Sequence, residues 1–125
     1  MAYTTETKVL HRAKLAKSDV SNSESEASTI ISECIVDASA VIDALTNHPD
    51  GWDSGEKYYS AIQAAATDLA ASYLFQQDIA ARVVGRASEE VLVDRATQLH
   101  NRAMELLSKI PGSKKLHIAV SEEDA

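Results

Sequence analysis

The side chains that could do chemistry are few and scattered along the chain. Four histidines occur, His11, His48, His100 and His117. None stands three or four residues from another histidine or from a carboxylate, which is the spacing of metal sites in helix bundles. No nucleophile elbow, phosphate-binding loop or Cys-His pair is visible. The residues therefore predict neither an enzyme nor a metal or cofactor site.

Two further side chains could be reactive, and for both a structural role is favoured. Asp68 lies in an apolar stretch, where a buried carboxylate needs a partner, so we expect an ion pair with an arginine such as Arg95 rather than catalysis. Cys34 is the only cysteine and lies on the apolar stripe of a predicted helix. We expect it to be buried as a small hydrophobic residue, without a disulfide in the chain.

The element that must position these groups is a helix over residues 60–75, which is apolar on two sides. One face holds Ile62, Ala66, Leu69, Ala70 and Tyr73, and a second face holds Ala64, Ala71 and Phe75. A helix of this kind is covered on both sides. The cover is either the core of the same chain, or that core on one side and a neighbouring subunit on the other.

Three more helices are predicted around this one. The first begins after Thr4 or Thr5 and ends near Ala16, and residues 17–25 are predicted as a loop. Ser23 and Glu26 have the spacing of a capping box before a long amphipathic helix that must stop before Pro49. Its stripe, which leaves Ser39 outside, is Ala27, Ile30, Ile31, Cys34, Ile35, Ala38, Val41, Ile42 and Leu45.

Asp53 and Glu56 form a second capping-box pair that we expect to open the central helix, with Trp52 folding back onto it as a staple in preference to stacking on a ligand. The central helix should run through Gln77 and end by Ala81, followed by a loop. Ser88 is expected to cap the last helix. That helix should end at Pro111 and Gly112, and its stripe is Leu92, Ala96, Leu99, Ala103, Leu106 and Ile110.

The pattern changes after residue 112, where Leu116, Ile118 and Val120 alternate with other residues at the period of a β-strand. A single strand is not stable alone, so we expect it to pair with a sheet edge in another protein. The fold class is therefore all-α and four-helix bundle-like. Residues 1–112 form the helical domain, and residues 113–125 form an extended tail.

Composition limits the partners. The 125 residues carry a formal net charge of −7, which argues against general affinity for the phosphate backbone of DNA. No apolar run is long enough to cross a membrane, and no secretion leader is visible, so we expect a protein that is assembled inside a cell.

The order of these features resembles the small head-to-tail connector, or adaptor, proteins of tailed viruses. The likeness covers roughly residues 3–110: a Tyr-Thr-Thr start, the stretches IISECIVDASAVIDALT and IQAAATDLAASYLF, and a last helix of the DRATQLHNRAMELLSKI type. Proteins of that family are helical and are not enzymes. They assemble as a ring, commonly of twelve copies, beneath the portal, with their C-terminal segments reaching onto it.

The resemblance gives the second apolar face and the tail their expected roles. Ala64, Ala71 and Phe75 would contact the neighbouring copy in the ring, and Leu116, Ile118 and Val120 would dock on the portal. A neck or tail protein would bind the other side, and genomic DNA would pass through the ring without sequence-specific binding. The expected location is the head-to-tail interface of the virion, assembled in the host cytoplasm.

Two other functions fit the residues. One is a small helical regulatory or chaperone-like protein whose second apolar face binds a single partner helix. The other is an enzyme subunit that supports an active site in another chain. The size of the assembly separates a ring component from a regulator, because only the first forms a large closed species.

Overall fold

A computed structural model of the chain describes residues 2–77 and 89–112. These residues form an all-α bundle, as the sequence predicts, and in the described part no strand occurs. The helices are α1 (Glu6–Ala13), α2 (Lys17–Val20), α3 (Glu24–Leu45), α4 (Tyr59–Phe75) and α5 (Glu89–Ser108).

Helix α1 is capped by Thr5, whose hydroxyl accepts a hydrogen bond from the Lys8 backbone N–H at 3.3 Å. It ends at Ala13 rather than near Ala16. Lys14 adopts the left-handed conformation (φ 61°), and the N–H of Leu15 returns to the carbonyl of Leu10 at 3.0 Å. This arrangement satisfies the last carbonyls of the helix and stops it early.

The loop predicted between the first two helices contains the one-turn helix α2, so that prediction was wrong. Val20 is buried in the core, and the Asp19 carboxylate accepts a hydrogen bond from the Ala16 N–H at 2.8 Å. Lys17 also pairs with Glu6 of α1 at 2.8 Å. These contacts hold a turn that propensity alone would not stabilise.

Helix α3 begins after Ser23, as predicted, and Ser23 accepts a hydrogen bond from the Glu26 N–H at 3.3 Å. Glu26 does not complete the capping box, because its side chain accepts a hydrogen bond from Ser21 instead. The helix ends at Leu45, before Pro49, and its predicted stripe faces the core. Ser39 was expected outside the stripe but is buried, and its hydroxyl has no hydrogen-bond partner in the part of the chain that the structure describes.

The start of α4 differs from the prediction. Asp53 and Glu56 do bond to each other, with the Asp53 N–H donating to Glu56 Oε2 at 2.7 Å, but they form a separate turn and α4 begins only at Tyr59. Trp52 is buried and is fixed against the end of α3, whereas its expected packing on α4 stays a prediction. Its ring stacks on His48 at 3.7 Å between centroids, and its Nε1–H donates to Thr46 Oγ1 at 2.9 Å.

Helix α4 is the centre of the bundle, with α3, α1 and α5 all packed on it. It ends at Phe75, two residues before the predicted minimum. Its residues from Ala65 to Ser72 are all buried. The sequence left open whether α4 is covered only by its own chain or also by a neighbouring subunit. In the structure the chain's own helices cover these residues of α4.

Helix α5 makes the most extensive packing against α4. The buried residues are Leu92, Leu99, Ala103, Leu107 and Ile110, so Leu107 takes the fully buried position that was assigned to Leu106. Helices α3 and α5 make no substantial contact and therefore lie on different sides of α4. Gly112 has a positive φ of 88° just after the helix. The expected Ser88 cap and the expected outer limit of α4 at Ala81 lie outside the described residues.

Candidate functional site

Asp68 of α4 is only 1% exposed, and it binds two arginines from two other helices. Arg102 of α5 makes a bidentate pair, with Nε donating to Oδ2 and Nη2 donating to Oδ1, both at 2.9 Å. Arg12 of α1 donates to Oδ1 through Nη1. The arginine type of partner was predicted correctly, but the predicted residue, Arg95, is not the partner.

The charges of this cluster explain why a carboxylate can be buried there. Burying a carboxylate is costly unless charged donors compensate it, and bidentate guanidinium pairs do so best. The hydrogen bond to Asp68 raises the pKa of Arg102 above its ordinary value, even though partial burial acts in the opposite direction. Two guanidinium groups face one carboxylate, so the cluster keeps one unit of positive charge.

A cleft of about 260 Å³ opens beside this cluster, between α1, α4 and α5. We call it the basic cleft. Its walls carry four cationic side chains and no carboxylate, and its floor is apolar. The lining residues are Arg12, Ala13, Lys14, Phe75, Arg95, Gln98, Leu99 and Arg102.

Two of the cations in the basic cleft are not neutralised. Arg12 and Arg102 are held by Asp68, whereas Lys14 and Arg95 have no ion pair with any carboxylate of the described residues. The left-handed turn at Lys14 places that side chain at the rim, just beyond the end of α1. In a chain of net charge −7, this is a local concentration of positive charge.

A second surface of opposite charge lies on the exposed side of α3, and at its edge Glu33 and Asp37 border a hollow with Tyr73 at the end of α4. Glu33, Val36 and Asp37 form this surface, and we call it the acidic α3 face. They border a shallow depression with Ser28, Thr29 and Ser32. Val36 is 58% exposed, and neither Glu33 nor Asp37 pairs with a cation among the described residues.

The three residues predicted at the oligomer interface differ in their exposure to solvent. Ala71 is completely buried inside the bundle, so its assignment to a subunit interface was wrong: α4 is covered there by the chain's own helices. Ala64 and Phe75 are partly exposed. Phe75 contributes to the floor of the basic cleft, and Ala64 lies in an adjoining hollow with His11 and Leu106. For these two residues the interface stays a prediction.

The remaining candidates carry little chemistry. Cys34 is buried, and burial, with smaller effects of Asp37 and Glu33, raises the pKa of its thiol to about 11. His48 lies 3.4 Å from Glu56 through Nε2 while it stacks on Trp52. Within residues 2–77 and 89–112, no three metal-ligating side chains converge. His117 and the predicted docking residues Leu116, Ile118 and Val120 lie outside the described part of the chain.

Sequence reasoning missed the two arginines that bind Asp68. Arg95 and Arg102 are seven residues apart and so lie on the same side of α5, which means that the sequence could not choose between them. Arg12 had a weaker signal, as a cation on the polar side of α1 close to its C-terminal end.

Helices of the described residues are too short or too polar to cross a membrane. The chain matches no protein-family model, no curated protein and no solved structure.

Proposed function

We propose that this protein is a head-to-tail connector, or adaptor, of a tailed virus. In this proposal it is a structural subunit that forms a ring beneath the portal and joins the portal to the next neck or tail component. Genomic DNA passes through the ring, and the subunit carries out no reaction.

The observation that carries this proposal is the pair of unlike surfaces on the bundle. The basic cleft and the acidic α3 face have opposite charge, are formed by different helices, and have no partner within the described chain. A ring of identical subunits is built from head-to-tail contacts, in which each copy offers two different, complementary surfaces. A regulator that binds one partner helix would need only one such surface.

The packing of the bundle also supports a structural subunit. Helix α4 is covered by the chain's own α1, α3 and α5, so the core does not depend on a neighbour for its completion. Each copy would therefore enter the ring as a preformed block. The cost of ordering the chain is then paid during folding and does not weaken assembly.

Docking to the portal is assigned to the tail. Leu116, Ile118 and Val120 have the alternation of a strand, and addition to a sheet edge of the portal would satisfy their backbone groups. This part of the proposal rests on the sequence pattern and on the resemblance alone.

The test is the mass of the purified full chain, alone and with the portal protein encoded by the same genome, by light scattering at low and high salt. A large closed species, formed alone or on the portal, is expected. A monomer or dimer that ignores the portal would overturn the proposal and favour the regulatory helical protein. High salt should weaken the assembly, since opposite surface charges contribute to it.

A further inference from the structure

We infer that the acidic α3 face of one copy binds in the basic cleft of the next copy. The inference names the two contacting surfaces of the ring and rests on the proposed function for its biological setting.

The acidic α3 face and the basic cleft carry complementary charges. Glu33 and Asp37 are four residues apart on α3, so their side chains are neighbours about 5 to 6 Å apart on one side of the helix. Lys14 and Arg95 line one cleft from two different helices and have no partner among the described residues. Two unpaired carboxylates on a convex helix thus match two unpaired cations on a concave surface.

The apolar residues match in the same way. Val36 lies between the two carboxylates in sequence and is one of the most exposed large hydrophobic side chains of the described chain, at 58%. The floor of the basic cleft offers Phe75 and Leu99. An apolar centre surrounded by charged and polar groups is the usual composition of a specific interface.

The two surfaces cannot meet within one chain. Helices α3 and α5 make no substantial contact, and no residue of the acidic α3 face lines the basic cleft. A contact between them must therefore join two copies, and each copy keeps one free surface of each kind. Such an interface propagates and ends in a closed ring when its rotation permits.

A second copy is favoured over nucleic acid as the occupant of the cleft. DNA would approach a chain of net charge −7, and the basic cleft offers only two cations, Lys14 and Arg95, that have no ion pair among the described residues. The acidic α3 face, in contrast, is present in every copy at the same concentration as the cleft.

Charge reversal tests the pairing directly. The cleft variant carries Lys14→Glu with Arg95→Glu, and the α3 variant carries Glu33→Lys with Asp37→Lys. None of these four side chains has an ion pair among residues 2–77 and 89–112, so circular dichroism should show unchanged helicity. Each variant alone should associate at least about 100-fold more weakly than the unmodified chain, because like charges then face each other.

An equimolar mixture of the two variants should recover the unmodified mass. In an alternating ring, the acidic cleft of one variant receives the basic α3 face of the other, and the second interface keeps its native charges. No contact outside these two surfaces predicts this recovery. A matched control, Lys57→Glu with Lys109→Glu, makes the same change in net charge away from the cleft and should assemble normally.

Four outcomes would overturn the inference. They are an unmodified chain that stays monomeric at low salt, single variants that assemble like the unmodified chain, a mixture that does not assemble, and variants that lose binding to a DNA duplex while self-association is unchanged. In each of these cases, capture of the unmodified chain by the portal would leave the proposed function standing. Conversely, a recovered mixture in a chain that never binds the portal would support the interface and contradict the attachment of the ring to the portal.

Discussion

Asp68 is the most deeply buried charged side chain of the described residues, and its two arginines tie three helices together. Arg12 comes from α1 and Arg102 from α5, while the carboxylate belongs to α4. Both guanidinium groups reach solvent on their far sides, so only the carboxylate depends on the protein for its solvation. The cluster should therefore tolerate the loss of one arginine far better than the loss of both.

The first prediction follows from this asymmetry. Arg12→Met and Arg102→Met keep the aliphatic stem and remove the charge, and each should lower the free energy of unfolding by about 1 to 2 kcal/mol. The double variant should lose about 3 to 5 kcal/mol, because it leaves a buried carboxylate without a partner. Urea unfolding followed by circular dichroism measures all three. Arg95→Met, which does not touch Asp68, is the control and should stay within about 0.5 kcal/mol of the unmodified chain. A double variant no less stable than this control would show that Asp68 does not need its arginines.

Ser39 gives a prediction of opposite sign. Its hydroxyl is buried on α3 without a hydrogen-bond partner, which costs free energy that an alanine would not. Ser39→Ala should stabilise the protein by about 1 kcal/mol or more, measured as the shift in the urea midpoint. Ser32→Ala, at an exposed position of the same helix, carries only the gain in helix propensity. Equal increases in the urea midpoint of Ser39→Ala and Ser32→Ala would mean that the buried hydroxyl does not destabilise the protein.

Cys34 provides a pH-dependent prediction. Its folded pKa of about 11 lies above its ordinary value of 9.0, chiefly because burial disfavours the thiolate. The folded thiol should therefore react slowly with iodoacetamide near neutral pH and faster as the pH approaches 11. Since the folded pKa is raised, the thiol does not lower the free energy of unfolding below about pH 9. Between about pH 9 and pH 11 the unfolded chain loses the thiol proton more readily than the folded chain, so the free energy of unfolding falls as the pH rises. Over this pH range the urea midpoint of the unmodified chain should fall relative to that of Cys34→Ala. Rapid alkylation at neutral pH would contradict the burial of the thiol.

At the scale of the element, periodicity predicted which segments are helical and tertiary contacts decided where they end. The stripes of α3 and α5 identified both helices and most of their buried residues. The one-turn helix α2 could not be predicted, because it depends on the burial of Val20 and on the hydrogen bond to Asp19. The same limit applied to the site: the sequence predicted a buried Asp68 with an arginine, but the register of α5 against α4 selected Arg102.

The burial of Ala71 is a second feature that the sequence could not predict. Two apolar faces on one helix require two covering surfaces, and the sequence does not say whether the second belongs to the same chain. The structure places α1, α3 and α5 around α4, which uses both faces within one molecule. The sequence also gave no sign of the basic cleft, since its cations come from α1 and α5 and meet only in the fold.

The segment before α1 is fixed to the far end of α3, and this contact gives a prediction for the element. The hydroxyl of Tyr3 donates to Asp43 and accepts the backbone N–H of Trp52 at 2.7 Å. Tyr3→Phe should cost about 1 to 3 kcal/mol, because it leaves a buried N–H unpaired. It should also change the fluorescence of Trp52, which is the only tryptophan. Tyr58→Phe removes a hydroxyl with no hydrogen bond to the described residues and should change neither property. An unaltered spectrum and stability in Tyr3→Phe would show that the segment is held by apolar packing alone.

At the scale of the whole molecule, the bundle and the tail are expected to have separate tasks. Among the described residues, which end at 112, the core extends as far as Ile110. The sequence predicts residues 113–125 as an extended tail outside the helical domain, so their deletion should leave the helicity and the melting temperature nearly unchanged. The same deletion should abolish attachment to the portal, if Leu116, Ile118 and Val120 add a strand to it.

The decisive comparison is with a variant of the core. Leu74→Ala removes a fully buried side chain and should cost about 2 to 5 kcal/mol, which lowers the melting temperature by many degrees. A truncated chain that melts close to the unmodified protein and no longer binds the portal would support a separate docking tail. A loss of stability as large as that of Leu74→Ala would place the tail inside the fold. Normal portal binding by the truncated chain would move the docking surface to the bundle, where the basic cleft and the acidic α3 face would then have to serve both the portal and the neighbouring copy.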